Sequence, residues 1–438
     1  MGLKTFPRGI HPPDSKSYSE NAQIEKLPLP SKVVIPLSQH IGAPAKPCVK
    51  VGDEVVAGQK IADAGGFVSI AMHASIAGKI SKIGKFNHPS GTVAEAIEIT
   101  GDGSENSIEL VDEDVEKLSV EELKQRISEA GICGMGGAGF PTHVKLSPPA
   151  ENPIDTVILN GVECEPYLTA DYRLMLEKTA EIISGLKLLM KTVEAERGII
   201  GIEANKPAAI KKMKELLKNE KKITVVGLKV KYPQGAEKQL IYAATKRKVP
   251  NKGGLPMAVG VVVQNVGTAL AVYEAARYKK PLIHRVITIT GKIVNNPKNI
   301  LAPIGTSYQD LLDFAEGTSQ EIGKIISGGP MMGFAVPDIA TPMAKTSSGV
   351  LFFSVPEAQK QTEDVCLRCG RCVDVCPMNL APSLIVNNMK YNDVDGAERY
   401  GVMDCIKCGS CAYVCPSHIK LIQWIDIGKL QVSAKNRK

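Results

Sequence analysis

The chain has 438 residues, 44% of them apolar and 23% charged, an ordinary globular composition on a length that calls for roughly two to four domains. No uninterrupted apolar stretch approaches the roughly 20 residues that a spanning helix needs, so the chain is expected to be soluble or peripheral to a membrane. The formal charge of +7 is mild and its basic residues are interleaved with acidic ones, which argues against a nucleic-acid partner.

Residues 1–28, rich in proline and polar groups (FPRGIHPPDSKSYSEN), predict an extended N-terminal arm. The arm lacks a hydrophobic signal core, so a reducing compartment is expected and disulfides are not. From 29 to 100, short β-type runs punctuated by glycine (VKVGDEVVAGQKIA, SIAGKISKI) predict a small all-β module. It resembles the barrel-sandwich domain of biotinyl and lipoyl carriers. No lysine lies between Ala62 and Gly78 to bear a swinging arm, so a docking or structural role is expected. The acidic residues 101–118 predict a linker.

Ser119 and Glu122 have capping-box spacing for a helix ending near Gly131. Over residues 119–280, apolar runs at Thr156–Leu159, Ile199–Ile202, Ile223–Val230 and Val259–Val263 alternate with helical patterns at about 171–193, 207–218, 235–246 and 266–278. That alternation predicts an α/β domain with a largely parallel sheet. Residues 281–345 carry a strand-like RVITITG, a helix opening at Thr306 with Gln309 in capping-box position, and IISGGPMMG, and predict an α+β module of the β-grasp kind. A helical domain is expected over 346–430 and a solvated basic tail over 431–438. Leu421, Trp424, Ile425 and Ile427 group on one predicted helix, as core packing or as a partner face.

Within 346–430 the pattern Cys-x-x-Cys-x-x-Cys-x-x-x-Cys-Pro occurs twice, from Cys366 and from Cys405. Three closely spaced thiolates can wrap three corners of an iron–sulfur cube, and the Cys-Pro cysteine reaches the other cube in two-cluster ferredoxins. One [4Fe–4S] cluster is therefore expected on Cys366, Cys369, Cys372 and Cys415, the other on Cys405, Cys408, Cys411 and Cys376. Zinc sites supply sulfur as separated pairs instead. Cys48, Cys133 and Cys164 read as small buried or loop residues.

The other informative run is GICGMGGAGFPTHVK, Gly131 to Lys145. Its glycines remove side chains so that backbone N–H groups can approach a phosphate or a planar ring. It precedes the first strand of the α/β region, unlike a dinucleotide fingerprint. Polar residues gather where parallel strands end: Asn160, Glu163 and Glu165; Tyr232, Gly235 and Glu237; Gln264, Asn265 and Thr268. Open parallel sheets bind ligands at those ends.

In that order, GMGGAGFPTHVK, NGVECEP, YPQGAEK and QNVGT resemble the flavin and NADH site of the flavoprotein subunit of respiratory complex I. With the β module, FPRGIHPPDSK, SGGPMMG and the paired cysteine runs, nearly the whole chain resembles the C subunits of Rnf complexes, membrane-bound NAD:ferredoxin oxidoreductases. The resemblance implies a non-covalent FMN held by Gly134, Gly136, Gly137, Lys145, Asn160, Glu163, Tyr232, Gly235, Asn265 and Thr268. It implies NAD(H) contacts from Phe140, Glu165 and Glu237. Cys133, Met135, Val162, Cys164 and Ala236 depart from the complex I pattern and leave fewer fixed charges around the flavin.

The implied partners are an iron–sulfur subunit and membrane-spanning subunits that translocate ions, with this chain peripheral on the cytoplasmic side of the cell membrane. Electrons would pass between NADH, FMN, one cluster and then the other, with no catalytic acid, base or nucleophile required. A cobalamin reductase of propanediol-utilisation microcompartments shares this architecture. A non-catalytic iron–sulfur scaffold is the reading from another class.

Overall fold

The computed structural model describes residues 2–436. Arg437 and Lys438, the end of the expected basic tail, lie outside the described residues.

A four-stranded antiparallel sheet (Lys32–Pro36, Val93–Gly101, Gly78–Asn87, Glu54–Val55) and a three-stranded one (Lys46–Pro47, Lys60–Asp63, Met72–His73) form the β module. Alternating side chains such as Ile80, Ile97 and Ile99 turn inward onto Ile61 and Met72, the period-2 pattern of a half-buried sheet. The acidic linker does not float free, because Asp112 pairs with Arg277 at 2.8 Å and Glu113 with Lys279 at 2.9 Å.

Four parallel strands build the α/β sheet, in the order Ile223–Leu228, Arg197–Glu203, Thr156–Gly161, Val261–Asn265. Helices cover both faces, which is why TVILNG and VVVQN are apolar without alternation. The helix Val120–Glu129 begins on its capping box, Ser119 Oγ accepting from the Glu122 amide and the Glu122 carboxylate accepting from the Ser119 amide. The pattern at 171–193 is two helices, Ala170–Glu177 and Thr179–Thr192, parted at Lys178. There the Thr179 hydroxyl bonds back to the Met175 carbonyl, a contact that bends helices. The strand order reverses between Thr156–Gly161 and Val261–Asn265, and Asn160 and Asn265 face each other across that switch point.

The β-grasp module is a six-stranded mixed sheet, in the order Ile24–Lys26, Lys298–Pro303, His284–Thr290, Gly349–Ser354, Ile322–Ser327, Phe334–Val336. Two of these strands come from outside the expected 281–345. Ile24–Lys26 belongs to the arm and caps one edge, while Gly349–Ser354, expected in the cluster domain, lies in the middle. The reason is in its residues: GVLFFS is almost wholly buried and can pair its backbone only within a sheet. The helix here, Tyr308–Phe314, is capped by Ser307 and Asp310, one residue beyond the expected Thr306 and Gln309. Thr306 instead bonds the Pro303 carbonyl, and Gln309 turns to Asp313.

In the last domain, helices Pro382–Lys390, Val394–Arg399 and Leu421–Lys435 enclose Ile385, Met389 and Val402. The final helix buries Leu421, Ile425, Gly428 and Val432, a stripe at helical spacing. Trp424 packs partly against it, whereas Ile427, grouped with it in sequence, is 41% exposed. Among the described residues, no helix is long and apolar enough to cross a membrane.

Candidate functional site

The two cysteine runs fold alike. Residues 39 positions apart share unusual backbone angles: Arg368 and Lys407 have φ of 54° and 55°, Gly370 and Gly409 of 76° and 77°, Asn379 and His418 of 56° and 47°. Each left-handed glycine opens a one-turn helix, Arg371–Asp374 or Ser410–Tyr413, that carries the third cysteine. Cys376, Cys405, Cys408 and Cys411 line one cavity, walled by Leu380 and Ile425. This is the crossed set, three sulfurs from the second run and the Cys-Pro sulfur of the first. Among the described residues no group of three or more His, Cys, Asp or Glu side chains converges as a single ion requires; a cube instead spreads its sulfurs around a volume. Burial pushes the Cys405 thiol up to about 11 and raises Cys408 and Cys411 as well, so as thiolates these sulfurs would need a bound cation, the charge that a cluster's iron would supply. Of the other set, Cys366 and Cys369 are exposed, while Cys372 and Cys415 rest half-buried against the domain core.

The glycine run forms a hairpin-like loop beside the sheet's switch point. Its base is pinned: the Gly134 amide bonds the Phe140 carbonyl at 2.9 Å, the Met135 amide bonds Thr268 Oγ1 at 3.0 Å, and Arg285 Nη2 bonds the Met135 carbonyl at 2.7 Å. Its tip, Gly136 to Ala138, is exposed. A Cβ on Gly136 would lie 2.9 Å from Asn265, so only glycine permits that approach, whereas one on Gly137 would meet nothing within 4 Å. This bare-backbone cradle fits a planar ring or a phosphate laid against it.

From the cradle a polar chain runs inward. Asn265 Nδ2 donates to Asp171 at 2.6 Å and its Oδ1 caps the helix Val266–Tyr278 through Gly267. The Glu163 carboxylate accepts from the Asp171 and Tyr172 amides at 2.7 and 3.3 Å. Burial raises Glu163 to about 7, with Asp171 adding to the shift and Lys16 and Lys206 opposing it. Asn160 Nδ2 holds the Gly235 carbonyl at 2.8 Å while Cys164 Sγ accepts from the Gly235 amide. Lys145 and Glu237, expected to meet different groups, bond each other at 2.6 Å beside the cradle.

Two expected contacts face elsewhere. Tyr232 is 2% exposed, and its hydroxyl donates to the Cys408 carbonyl at 2.8 Å, toward the cluster cavity. Glu165 turns to the SGGPMMG segment, accepting from the Met331 amide at 3.1 Å; burial raises it to about 7. Phe140 is half-buried at the loop's far end. Lys16, Asp171, Arg285 and Met331 also take part here, and sequence reasoning missed all four. Lys16 and Met331 lie within FPRGIHPPDSK and SGGPMMG, so a signal was present; Asp171 and Arg285 give none beyond being charges within apolar text.

Comparison with known proteins agrees with this architecture. Family profiles described as "RnfC Barrel sandwich hybrid domain", "Nuo51 FMN-binding domain", "SLBB domain" and "4Fe-4S dicluster domain" match residues 4–104, 127–274, 286–335 and 358–416. The chain is 50% identical over 426 residues to the C subunit of the proton-translocating ferredoxin:NAD(+) oxidoreductase complex of Clostridium ljungdahlii, covering 97% of this chain and 93% of that one. It is 44% identical over 442 residues to the C subunit of the Na(+)-translocating complex of Acetobacterium woodii, covering 99% and 98%. Against the C subunit of the ion-translocating oxidoreductase complex of Pseudomonas aeruginosa it is 40% identical, covering all of this chain and 57% of that one. Among solved structures, an NAD+-reducing [NiFe]-hydrogenase in its H2-reduced state shares the fold, with a TM-score of 0.50 at 16% identity, over 74% of this chain and 67% of that one. Identities of 50% and 44% to two such C subunits, each matched over more than nine-tenths of its length, place the chain in the family of C subunits of ion-translocating ferredoxin:NAD+ oxidoreductases, the Rnf complexes.

Proposed function

We propose that this chain carries electrons between NAD(H) and membrane-bound partners by way of FMN on the glycine cradle and two [4Fe–4S] clusters. The observation that carries this reading is the junction at Tyr232, where the strand-end loop of the flavin-type domain bonds a ligand of the buried cysteine set. Bound at the cradle, FMN supplies the exchange between the electron pair of a hydride and the single electrons that clusters accept.

The protein's part is to hold and orient. Gly134, Gly136 and Gly137 offer backbone, and Lys145 offers a cation to a phosphate in exchange for Glu237. Glu237, once released by Lys145, is a carboxylate available to a ribose or an amide, and Phe140 is an aromatic face for a ring; Glu165, held by the Met331 amide, shapes the loop beside them. No side chain need move a proton to a reacting atom. The crossed set around Cys408 is the cluster next to the flavin domain, and the set with exposed Cys366 and Cys369 is the outward one. An iron–sulfur subunit and membrane-spanning subunits are the partners in this reading, with the chain peripheral on the cytoplasmic face and ion translocation left to the spanning subunits.

Anaerobic reconstitution with iron, sulfide and FMN tests the proposal. The expected product holds about eight irons and one flavin, and NADH bleaches the flavin before the clusters reduce. Full iron content with no flavin retained and no response to NADH would leave a non-catalytic scaffold.

A further inference from the structure

The cofactor assignments make no use of FPRGIHPPDSK, residues 6–16, yet this segment touches both halves of the electron path. Near its start, Arg8 Nη1 donates to the Val373 carbonyl at 2.7 Å and the Gly9 amide to the Val375 carbonyl at 3.1 Å, between Cys372 and Cys376. Ile10 then exchanges both backbone hydrogen bonds with Tyr232, at 2.8 and 2.9 Å. A Cβ on Gly9 would stand 2.6 Å from the Tyr232 carbonyl oxygen, so this approach requires glycine.

At its other end the segment enters the loop after the first sheet strand. The Asp14 carbonyl accepts from the Tyr167 amide at 2.7 Å. Lys16, 4% exposed, donates from Nζ to the carbonyls of Glu165 at 2.9 Å and Leu168 at 2.5 Å. That loop holds two non-glycine residues in left-handed conformation, Glu163 at φ 47° and Tyr167 at φ 69°, which persist only where surroundings over-determine them. A buried ammonium is itself costly and is retained where its donors and charge are used. The charges facing Lys16 are Glu163 and Glu203, with Lys206 opposing.

We propose that Lys16 is a positioning residue for the cofactor site: it fixes the backbone of residues 163–168, and so the carboxylates of Glu163 and Glu165, while the arm bearing it registers that loop against the cluster domain. The inference rests on the flavin reading above. It assigns the arm a part in cofactor geometry that the identities of the cofactor ligands do not contain.

The test titrates FMN into the full-length, cluster-loaded chain and follows flavin fluorescence, with iron counted on the same samples. Lys16→Met is expected to keep its iron and to raise the FMN Kd by about tenfold or more, the scale of losing a charged hydrogen bond. Ethylammonium added to Lys16→Ala is expected to restore part of the affinity, which a damaged fold would not do. Should Lys16→Met not fold, Lys16→Gln, which keeps a donor and loses the charge, is read in its place. An FMN Kd within about twofold of wild type, parallel loss of iron and flavin, or no response to ethylammonium overturns the proposal. Failure of the wild-type chain itself to bind FMN would instead sink the flavin reading.

Discussion

The Tyr232 hydroxyl donates a 2.8 Å hydrogen bond to the backbone carbonyl of Cys408, joining the strand-end loop of the α/β domain to a cysteine of the buried set. Hydrogen bonding around a cluster's ligands is one of the levers on its potential. Tyr232→Phe is therefore expected to lower the midpoint potential of one cluster, leave the other unchanged and cost about 1–2 kcal/mol of stability. A redox titration followed by electron paramagnetic resonance checks it; equal shifts in both clusters would contradict the placement.

The cavity shared by Cys376, Cys405, Cys408 and Cys411 makes crossed ligation testable. Cys376→Ser and Cys411→Ser are expected to abolish the same cluster signal, and Cys372→Ser the other, each with loss of up to about four irons. If Cys376→Ser and Cys372→Ser removed the same signal, ligation would run within each repeat.

Gly136 and Gly137 are neighbours with different surroundings. An added Cβ at Gly136 collides with Asn265, whose amide bonds Asp171 and whose oxygen caps a helix. Gly136→Ala is expected to cost about 1–3 kcal/mol as an overpacking change and to lose flavin. Gly137→Ala, with open space beside it, is expected to stay within about 0.5 kcal/mol of wild type yet to bind FMN more weakly. Thermal melts and flavin titrations on both variants separate the two effects.

Lys145 and Glu237 form a half-exposed pair, so its own contribution to stability is small, about 1 kcal/mol or less. Lys145→Ala is expected to weaken FMN binding by about ten- to a hundredfold, the scale of a charged hydrogen bond to phosphate, with iron intact. Glu237→Gln releases the lysine and is expected to tighten FMN while raising the KM for NADH. Flavin affinity unchanged in both variants would place the phosphate elsewhere.

Glu163 sits at about 7 in the folded chain, above its unfolded value of 4.5. A raised carboxyl binds its proton more tightly when folded, so its contribution is full below 4.5 and is lost as pH rises toward 7. Glu163→Gln mimics the neutral acid and is expected to melt progressively higher relative to wild type as pH goes from about 5 to about 8. Melting curves of both proteins across that range decide it. A constant difference would mean that Lys16 and Lys206 hold the carboxylate ionised throughout.

Residue spacing and local chemistry were enough for much of this architecture. Eight cysteines in two identical registers declared two cubes, and alternating apolar runs and helical patterns declared a parallel α/β sheet. The Ser119 and Glu122 pair declared a helix start that appears where expected, since a capping box is closed within four residues.

Packing between domains set which groups meet. GVLFFS belongs to the β-grasp sheet and not to the cluster domain because it pairs with Ile322–Ser327 on one side and His284–Thr290 on the other. Tyr232 faces Cys408, Glu165 faces Met331, and Lys16 reaches a loop about 150 positions away, contacts that no local pattern encodes. A buried donor or charge must find a partner wherever folding brings one, and the identity of that partner is fixed only when separate domains pack.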